Sequence, residues 1–358
     1  MTNDGCFPSK RVQTGPTVPL FSIIVPTCNR TRELRACLRA LARLDYPKSC
    51  FEVIVVDDGS EPALDATDFN GFDGLATWLR QTNAGPAAAR NAGAEQAQGE
   101  YLAFTDDDCM PAPSWLNGLA RAFQQTPQAL VGGRTTNGLP GNTYSTASQM
   151  IVNAAMDYFL ATHSKFQFFA SNNLAIPAEL FRTIGGFDVS FRTSEDRDFC
   201  DRWVREGYRL VYAPDAVIQH YHELTLAGFL HQHFGYGKGA NRFHRARARR
   251  GREPFRPELS FYRNVFRYSF AHDKRTLSLA ALLFLWQAAN AAGYLWQCCM
   301  PETTNEITRA RCMQSPVRNG PLKGVQGKSR EGMLGVRALD GDSDLWAQSP
   351  AGKTTPHV

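Results

Sequence analysis

The nine cysteines of this 358-residue chain include no pair at CxxC spacing, and their number is odd. The sequence therefore lacks the ligand pattern of a ribbon-type zinc site. At this length a secreted disulfide scaffold is also disfavoured, so we expect a reducing compartment. The first residues carry no apolar stretch behind their charges, which argues against a signal peptide.

The net charge of the chain is also small. The chain has 39 Lys and Arg against 34 Asp and Glu, a net charge of +5. Much of the excess lies in a basic run at residues 242–252 that has no aromatic stacking pattern, so we expect no nucleic-acid partner. Hydrophobic residues make up 43% of the chain and charged residues 20%, a composition typical of a globular protein with a sizeable core.

Strand and helix patterns alternate along the first third of the chain. Short β-branched or apolar runs at 21–25, 51–56 and 101–104 have the character of buried strands. Helical spacing of apolar residues at 31–43 and an Ala-rich stretch at 85–98 lie between them. This order predicts an α/β fold with a mostly parallel, Rossmann-like sheet and flanking helices, in which ligands bind beyond the carboxyl ends of the strands.

Acidic residues follow two of these strands. Residues 106–108 are three aspartates directly after the third strand, and residues 57–58 are two aspartates after the second. Neighbouring carboxylates repel one another and need a counter-charge, for which a divalent cation bridging phosphate oxygens is well suited. In an extended segment, Asp106 and Asp108 point to the same side. The alternative for both groups is a solvated turn with capping carboxylates.

A third acidic group, residues 195–198, opens a helix predicted over 195–205. Negative charge in the first helical turn is favoured by the helix dipole, which accounts for the acidity without any function. The dipole does not account for the Gly-Gly-Phe-Asp sequence just upstream, at 185–188.

Six motifs in order carry a resemblance to a known family. They are SIIVPTCNR at 22–30, EVIVVDDGS at 52–60, GPAAARNAG at 85–93, FTDDD at 104–108, GGFD at 185–188 and Glu195-Asp196. In order and spacing the sequence resembles a family 2 glycosyltransferase of the GT-A fold. The resemblance covers about residues 20–240. It implies that a sugar is moved from a nucleotide-diphosphate sugar to an acceptor hydroxyl.

The resemblance also implies roles on the donor side. Pro26 and Thr27, at the end of the first strand, and Asp57 and Asp58, after the second, correspond to residues that hold the nucleotide in the family. Arg90 corresponds to an arginine near the nucleotide and its phosphates.

The metal motif of the family, DXD, falls on Asp106 and Asp108. Asp106 then also faces the donor, and Asp108 is the expected direct ligand of Mg²⁺ or Mn²⁺. Some GT-A enzymes add a late histidine to the metal, for which His220 or His222 is available. Both lie on one strand, so they share a face, and the alternative is a surface strand with polar ends.

The acceptor side follows from the same resemblance. Asp196 corresponds to the catalytic base, and Asn172, Asn173 and Glu195 fall where the family lines its acceptor site. A base that takes the proton of the attacking hydroxyl allows one direct displacement, which inverts the anomeric centre. The expected activity is therefore a metal-dependent, inverting glycosyl transfer.

Two other functions remain open at this stage. A sugar nucleotidyltransferase would carry a Gly-rich, basic signature after the first strand, and residues 25–29 are not one. A catalytically inactive, membrane-associated protein that binds glycans or nucleotide sugars is the second alternative. Nothing in the sequence favours it, because Asp106, Asp108 and Asp196 are all present.

The expected organisation has five parts. A disordered lead-in (1–18) precedes a catalytic domain (19–240), divided into a nucleotide-sugar half (19–110) and an acceptor half (111–240). A basic linker or helix (241–275), an apolar helix (276–300) and a disordered tail (301–358) follow. We interpret the glycines of 235–239 as a flexible turn or, as in family members with related segments, an acceptor-side loop.

The apolar helix contains no charged residue and is long enough to span or enter a membrane. With the basic run at 242–252 it predicts an enzyme on the cytoplasmic face of a membrane, or a cytoplasmic enzyme if 276–300 is buried. The expected acceptor is a glycan, a lipid-linked molecule or a small molecule.

Overall fold

The computed structural model describes residues 18–64, 69, 76–162, 168–251, 260–261, 263–265, 267 and 276–300. The predicted tail at 301–358, nearly all of the predicted lead-in and much of 252–275 lie outside the described residues.

Eight strands and eight α-helices lie within the described part of the chain. The strands are β1 (Phe21–Thr27), β2 (Phe51–Asp57), β3 (Ala76–Arg80), β4 (Tyr101–Thr105), β5 (Cys109–Pro111), β6 (Leu130–Asn137), β7 (Asn173–Pro177) and β8 (Leu210–His220). The helices are α1 (Thr31–Ala42), α2 (Pro86–Gln96), α3 (Trp115–Gln125), α4 (Thr143–Thr162), α5 (Ala178–Ile184), α6 (Glu195–Arg205), α7 (Leu226–Arg249) and α8 (Thr276–Cys299).

All eight strands form one sheet, in the order β3-β2-β1-β4-β7-β6-β8-β5. The first four strands in this order are mutually parallel, whereas β7 runs antiparallel to both of its neighbours and β5 runs antiparallel to β8. The predicted α/β fold with flanking helices is confirmed, although the sheet as a whole is mixed. Because β1, β2 and β4 are parallel, their carboxyl ends meet at one edge, where the acidic residues lie.

The sheet separates two cores, as alternation along β1 requires. Ile23 and Val25 pack on one face against α1 and α3, and Ile24 packs on the other face against the small residues of α2. The second core extends to the aromatic residues of α5 and α6, including Phe181, Phe199 and Trp203. Both faces of the central strands are therefore buried away from solvent, which explains their continuous apolar runs.

The glycines at 235–239 lie inside α7, so the predicted turn is wrong. The reason is close packing between helices. A side chain at Gly237 would overlap the carbonyl oxygen of Asn290 in α8, and one at Gly293 would overlap that of Phe234 in α7. At Gly239 it would overlap the Thr193 hydroxyl, just ahead of α6. Glycine lets α7 approach both α8 and the start of α6.

Helix α7 runs through the predicted boundary at 240 and carries much of the basic run. Several of these arginines bond to the protein. Arg250 pairs with Asp198 and Asp201 of α6, and Arg247 also pairs with Asp201, at 3.0 Å. Arg245 donates to the carbonyl of Cys298. Part of the positive charge that was expected to contact a membrane is therefore used in contacts within the protein.

Helix α8 contains the segment Ser278–Cys299, whose mean hydropathy of 1.2 and length of 22 residues would allow it to cross a membrane. Within the described residues it is the one segment with these properties, and 28% of its apolar window is buried. Length and composition alone do not distinguish a spanning helix from a docked one.

Substitution of the glycines of α7 tests the close packing of this helix against α8. Gly237→Ala places a methyl group against a backbone oxygen and should cost about 1–3 kcal/mol of stability. Gly235→Ala, two residues earlier, meets open space and should stabilise the helix by up to about 1 kcal/mol. Chemical denaturation of the two purified variants measures both values. Equal effects would contradict the close approach of α7 and α8.

Candidate functional site

The site lies at the carboxyl ends of β1 and β4. Strand β4 ends at Thr105, and the three aspartates follow it directly. The Thr27 hydroxyl, at the end of β1, donates to the Asp107 carboxylate at 2.7 Å. Asp107 therefore ties β4 to β1, whereas Asp106 and Asp108 are left to face other elements.

Arg30 supplies a counter-charge that sequence reasoning missed. Its guanidinium lies 3.1 Å from a carboxylate oxygen of Asp107 and 2.7 Å from one of Asp108. Burial raises the pKa of Asp107 to about 7, against the opposing charge of Arg30. For Asp108, burial is outweighed by the hydrogen bond and charge of His220 and by Arg30, which hold its pKa below the ordinary range. The sequence did contain a signal for this pair. Three adjacent aspartates need a counter-charge, and Arg30 comes shortly after β1, the strand that lies parallel beside β4.

Asp108, Cys109 and His220 bring together atoms that could hold a metal, all within 4.8 Å of one another. The His220 Nε2 atom lies 3.3 Å from a carboxylate oxygen of Asp108. Burial raises the pKa of the Cys109 thiol well above its usual range, so the thiol is neutral unless a bound cation displaces its proton. A carboxylate and an imidazole are ligands that suit Mn²⁺ better than a sulfur site would, so these residues fit a divalent cation.

The structure also separates the two candidate histidines. His220 contacts Asp108, while the His222 ring stacks on His220 with centroids 5.0 Å apart. Burial, with the neighbouring His220, lowers the pKa of His222 to about 4. Of the two, His220 is the one placed to share a cation with Asp108.

Arg90 joins the donor side to the start of α6. It is 4% exposed and lies 2.6 Å from Asp106 and 2.8 Å from Glu195. Burial, with the adjacent Asp196 charge, raises the pKa of Glu195 to about 7 even though Arg90 opposes the shift. Arg90 therefore holds both Asp106 and Glu195 at fixed positions, and Asp106 lies outside the Asp108 cluster.

Asp196 lines a cleft of about 2040 Å³ that also contains Arg90, Asp106 and His220. Its carboxylate accepts from backbone groups, at 2.7 Å from the Arg197 N–H and 3.4 Å from that of Ser171. Burial raises its pKa above the usual carboxyl value. Such a group holds its proton more readily than an exposed aspartate, as a general base must.

Asn172 and Asn173, the two asparagines predicted on the acceptor side, differ in their hydrogen bonding. The Asn173 amide is fully engaged in the sheet, because its oxygen accepts from Trp115 and its nitrogen donates to the Ala216 carbonyl. Asn172 lines the cleft, and its buried amide oxygen has no hydrogen-bond partner among the residues that the structure describes. Asn172 is thus available to a ligand, and Asn173 braces the wall behind it.

The predicted nucleotide residues also organise loops. The Asp58 carboxylate accepts from the Gln81 side chain and from the N–H groups of Ala84 and Gly85, so it shapes the turn into α2. Asp57 accepts from the Ser60 N–H and pairs with Arg80 at 2.8 Å.

Pro26 lies buried in β1, paired in register with Val56 of β2. These residues border the same edge of the sheet as the aspartates, and their contact with a nucleotide remains a prediction.

Two helices beyond the predicted motifs contribute to the cleft. From α7 come Gln232, His233 and Tyr236, and from α8 come Trp286, Asn290 and Tyr294. For the α7 segment the sequence had offered an acceptor-side loop at 235–239 as one alternative. The contribution of α8 was missed because that helix had the character of an apolar helix. The available signal was that its amides and aromatic residues recur at helical spacing.

Comparison with known proteins agrees with this geometry. The profile named Glycosyl transferase family 2 matches residues 22–192. Glycosyltransferase AglE of Haloferax volcanii is 32% identical over 227 residues, covering 62% of this chain and 73% of that protein. The chain belongs to glycosyltransferase family 2.

One further sequence relative and one solved structure are also similar to this family 2 glycosyltransferase. The pre-mycofactocin glycosyltransferase of Mycobacterium tuberculosis is 29% identical over 64% of this chain, which spans 48% of that protein. The structure of mannosyltransferase PcManGT from Pyrobaculum calidifontis, solved with GDP-Man and Mn²⁺, superimposes with a TM-score of 0.56. At 19% identity, over 78% of this chain and 88% of that one, the likeness shows the GT-A fold alone.

The buried bridge at Arg90 gives the second test. Arg90→Met would leave the Glu195 carboxylate buried without its cation, which should cost about 3 kcal/mol or more. The matched control is Arg121→Met, whose ion pair with Asp215 is exposed, so the loss should stay within about 1 kcal/mol. Urea denaturation compares the two. Similar losses would show that the Arg90 bridge is not a structural support of this family 2 enzyme.

Proposed function

We propose that the protein transfers a sugar from a nucleotide-diphosphate sugar to an acceptor hydroxyl, with inversion and with the help of a divalent cation. One observation supports this above the others: Asp196 lines the same cleft as Asp106, Arg90 and His220. This shared cleft supports a base and a diphosphate site within one cavity. Neither a nucleotidyltransferase nor an inactive binding protein is favoured by the family or by the intact carboxylates.

The donor is proposed to lie along the carboxyl ends of β1, β2 and β4. Asp108 and His220, with Asp106 beside them, would hold Mg²⁺ or Mn²⁺. When bound, the cation would neutralise charge that develops on the diphosphate leaving group. The structural neighbour solved with GDP-Man and Mn²⁺ is consistent with this arrangement. Pro26, Thr27, Asp57 and Asp58 are proposed to border the nucleotide.

Asp196 is proposed as the general base. The carboxylate accepts the proton of the acceptor hydroxyl while that oxygen attacks the anomeric carbon, and the nucleoside diphosphate leaves from the opposite face. Glu195, which bonds to Arg90, is not free to act as a second nucleophile. A single displacement inverts the anomeric centre, whereas retention by double displacement needs a nucleophilic carboxylate as well.

A membrane surface is the proposed setting. Phe284 on α8 is 69% exposed, and Trp296 on the same helix is also exposed. Large apolar side chains exposed together mark an interaction surface, and aromatic residues favour the level of the lipid headgroups. We therefore place the enzyme at the cytoplasmic face of a membrane, with α8 as its contact. The basic run has a smaller part because several of its arginines bond to the protein.

The donor site is tested by titrating UDP, GDP and dTDP into the protein by calorimetry, with and without Mn²⁺. We expect one nucleotide to bind in a metal-dependent way. Asp108→Ala should weaken that binding by about tenfold or more, because a charged ligand of the cation is lost.

Two further variants make the titration specific. His220→Gln leaves the Asp108–Arg30 pair in place and should weaken the same metal-dependent binding. Asp215→Ala removes an exposed aspartate that does not line the cleft, and this variant should bind nucleotide like the parent. If a folded protein bound no nucleotide, or bound one equally well without metal, the proposed donor site would be wrong.

The base is tested by Asp196→Asn. The amide cannot accept the hydroxyl proton, so kcat should fall by roughly 10²–10⁴, the range for loss of a general base. Nucleotide affinity should not change. Asp215→Asn is the matched control and should keep full activity. Transfer is measured with the nucleotide sugar identified by titration, and an active Asp196→Asn enzyme would exclude this residue as the base.

A further inference from the structure

One wall of the cleft comes from helices that lie beyond the residues matched by the family profile, which ends at 192. The cleft-lining positions of α7 are 232, 233, 236, 237, 240, 244 and 247, and those of α8 are 286, 287, 290, 291, 294 and 295. Each set recurs at helical spacing, so each helix turns one face to the cleft. The α8 face contains Gln287 and Asn290, whereas the exposed Phe284 is not part of it.

Buried polar atoms on this wall lack partners within the described part of the chain. His233 is 2% exposed, and neither of its ring nitrogens has a hydrogen-bond partner. The same holds for the amide oxygen of Gln232, next to it on α7, and for that of Asn172 in the same cleft. Buried polar groups are nearly always satisfied in native proteins, so such a concentration marks a site for a polar ligand.

The wall is also neutral. Burial, with His222 nearby, lowers the pKa of His233 to about 4, so the imidazole is uncharged near neutral pH. Burial likewise lowers the pKa of His244 to about 4. The cation on this wall, Arg247, pairs with Asp201. Among the described residues of this wall, a phosphate or carboxylate would meet no unpaired cation, whereas two hydroxyl groups of one ligand could bond to the imidazole, one donating to its unprotonated nitrogen and one accepting from its N–H.

Aromatic rings surround the imidazole. The ring centroid of His233 lies 4.4 Å from that of Phe229, 5.5 Å from Tyr236 and 6.5 Å from Trp286. The Gln232 amide donates to the Tyr236 hydroxyl at 2.6 Å. Pockets that combine apolar ring faces with a few placed polar groups fix the orientation of a ligand. A sugar ring offers both C–H faces and hydroxyls.

The wall adjoins the base. The Tyr236 side chain of this wall and the Asp196 carboxylate line the same cleft. The Thr193 hydroxyl donates to the Gly235 carbonyl at 3.1 Å, which fixes α7 to the segment that leads into Glu195 and Asp196.

We propose that the α7–α8 wall is the subsite for the acceptor, that the acceptor presents an uncharged carbohydrate ring there, and that His233 is its principal contact. This inference rests on the proposed function, and it narrows the acceptor to a neutral sugar residue. A lipid-linked molecule remains compatible where its head is such a sugar.

The experiment compares two histidines of the same helix. His233→Phe keeps an aromatic ring among aromatic neighbours and removes two unsatisfied nitrogens, so the fold should tolerate it. His231→Phe is the matched control, since His231 is exposed and does not line the cleft. Thermal denaturation of both variants verifies that they fold.

Binding is measured by ligand-observed NMR with the methyl glycosides of glucose, mannose, galactose and N-acetylglucosamine, in the presence of diamagnetic Mg²⁺ and UDP or GDP. We expect the parent protein to bind at least one of these sugars. His233→Phe should weaken that binding by about tenfold, the effect of one lost hydrogen bond of about 1.4 kcal/mol, and His231→Phe should not.

Two results would overturn the inference. One is glycoside binding that His233→Phe leaves unchanged. The other is a protein that binds no glycoside but binds dodecyl phosphate, which would assign the wall to a lipid chain. Nucleotide binding is recorded on the same samples. A parent protein that binds no nucleotide would refute the proposed function. A parent protein that binds nucleotide but no glycoside would refute the acceptor subsite alone.

Discussion

The compensation of crowded carboxylates by two arginines is the constraint on which the rest of the site depends. Three aspartates follow β4, and their charges are stable in a largely buried place only beside cations. Arg30, which follows β1, neutralises two of them, and Arg90 of α2 joins the third to Glu195. These pairs fix β1, β4, α2 and α6 relative to one another. Their geometry is therefore set before any donor binds.

Much of the fold could be predicted from the sequence because the central strands are buried on both faces. Continuous apolar runs identified β1, β2 and β4, and the acidic residues after them located the edge of the sheet. β3 and β5 were not predicted, because an edge strand buries less and carries a weaker pattern. The glycines of α7 were read as a turn because sequence alone cannot distinguish glycine needed for a positive φ from glycine needed for close packing. Arg30 was overlooked since its partners are 77 or more residues away.

The C-terminal helices give the enzyme a part that the family motifs do not describe. Helix α8 has two faces with different chemistry: amides and aromatic rings line the cleft, while Phe284 and Trp296 face outward. Its apolar composition had hidden this division. Because Gly237 and Gly293 bring α7 and α8 into backbone contact, the outward face and the cleft face are held on one rigid pair of helices. A contact of the outer face with a membrane would then orient the mouth of the cleft as well.

Glu195 and Asp196 are adjacent carboxylates whose surroundings assign them different tasks. Glu195 is held by the Arg90 guanidinium, whereas the Asp196 carboxylate accepts from the backbone N–H groups of Ser171 and Arg197 and lines the cleft. Both lie in the first turn of α6, where the helix dipole favours their ionised forms, yet burial raises the pKa of each. Since each charge also disfavours the other, the pair titrates as a unit. The charges of Arg197 and Arg90 oppose the rise in the pKa of Asp196, but within the described residues neither guanidinium forms an ion pair with its carboxylate. Arg90 thus restrains Glu195 by direct contact, whereas Asp196, the proposed base, has no such ion pair.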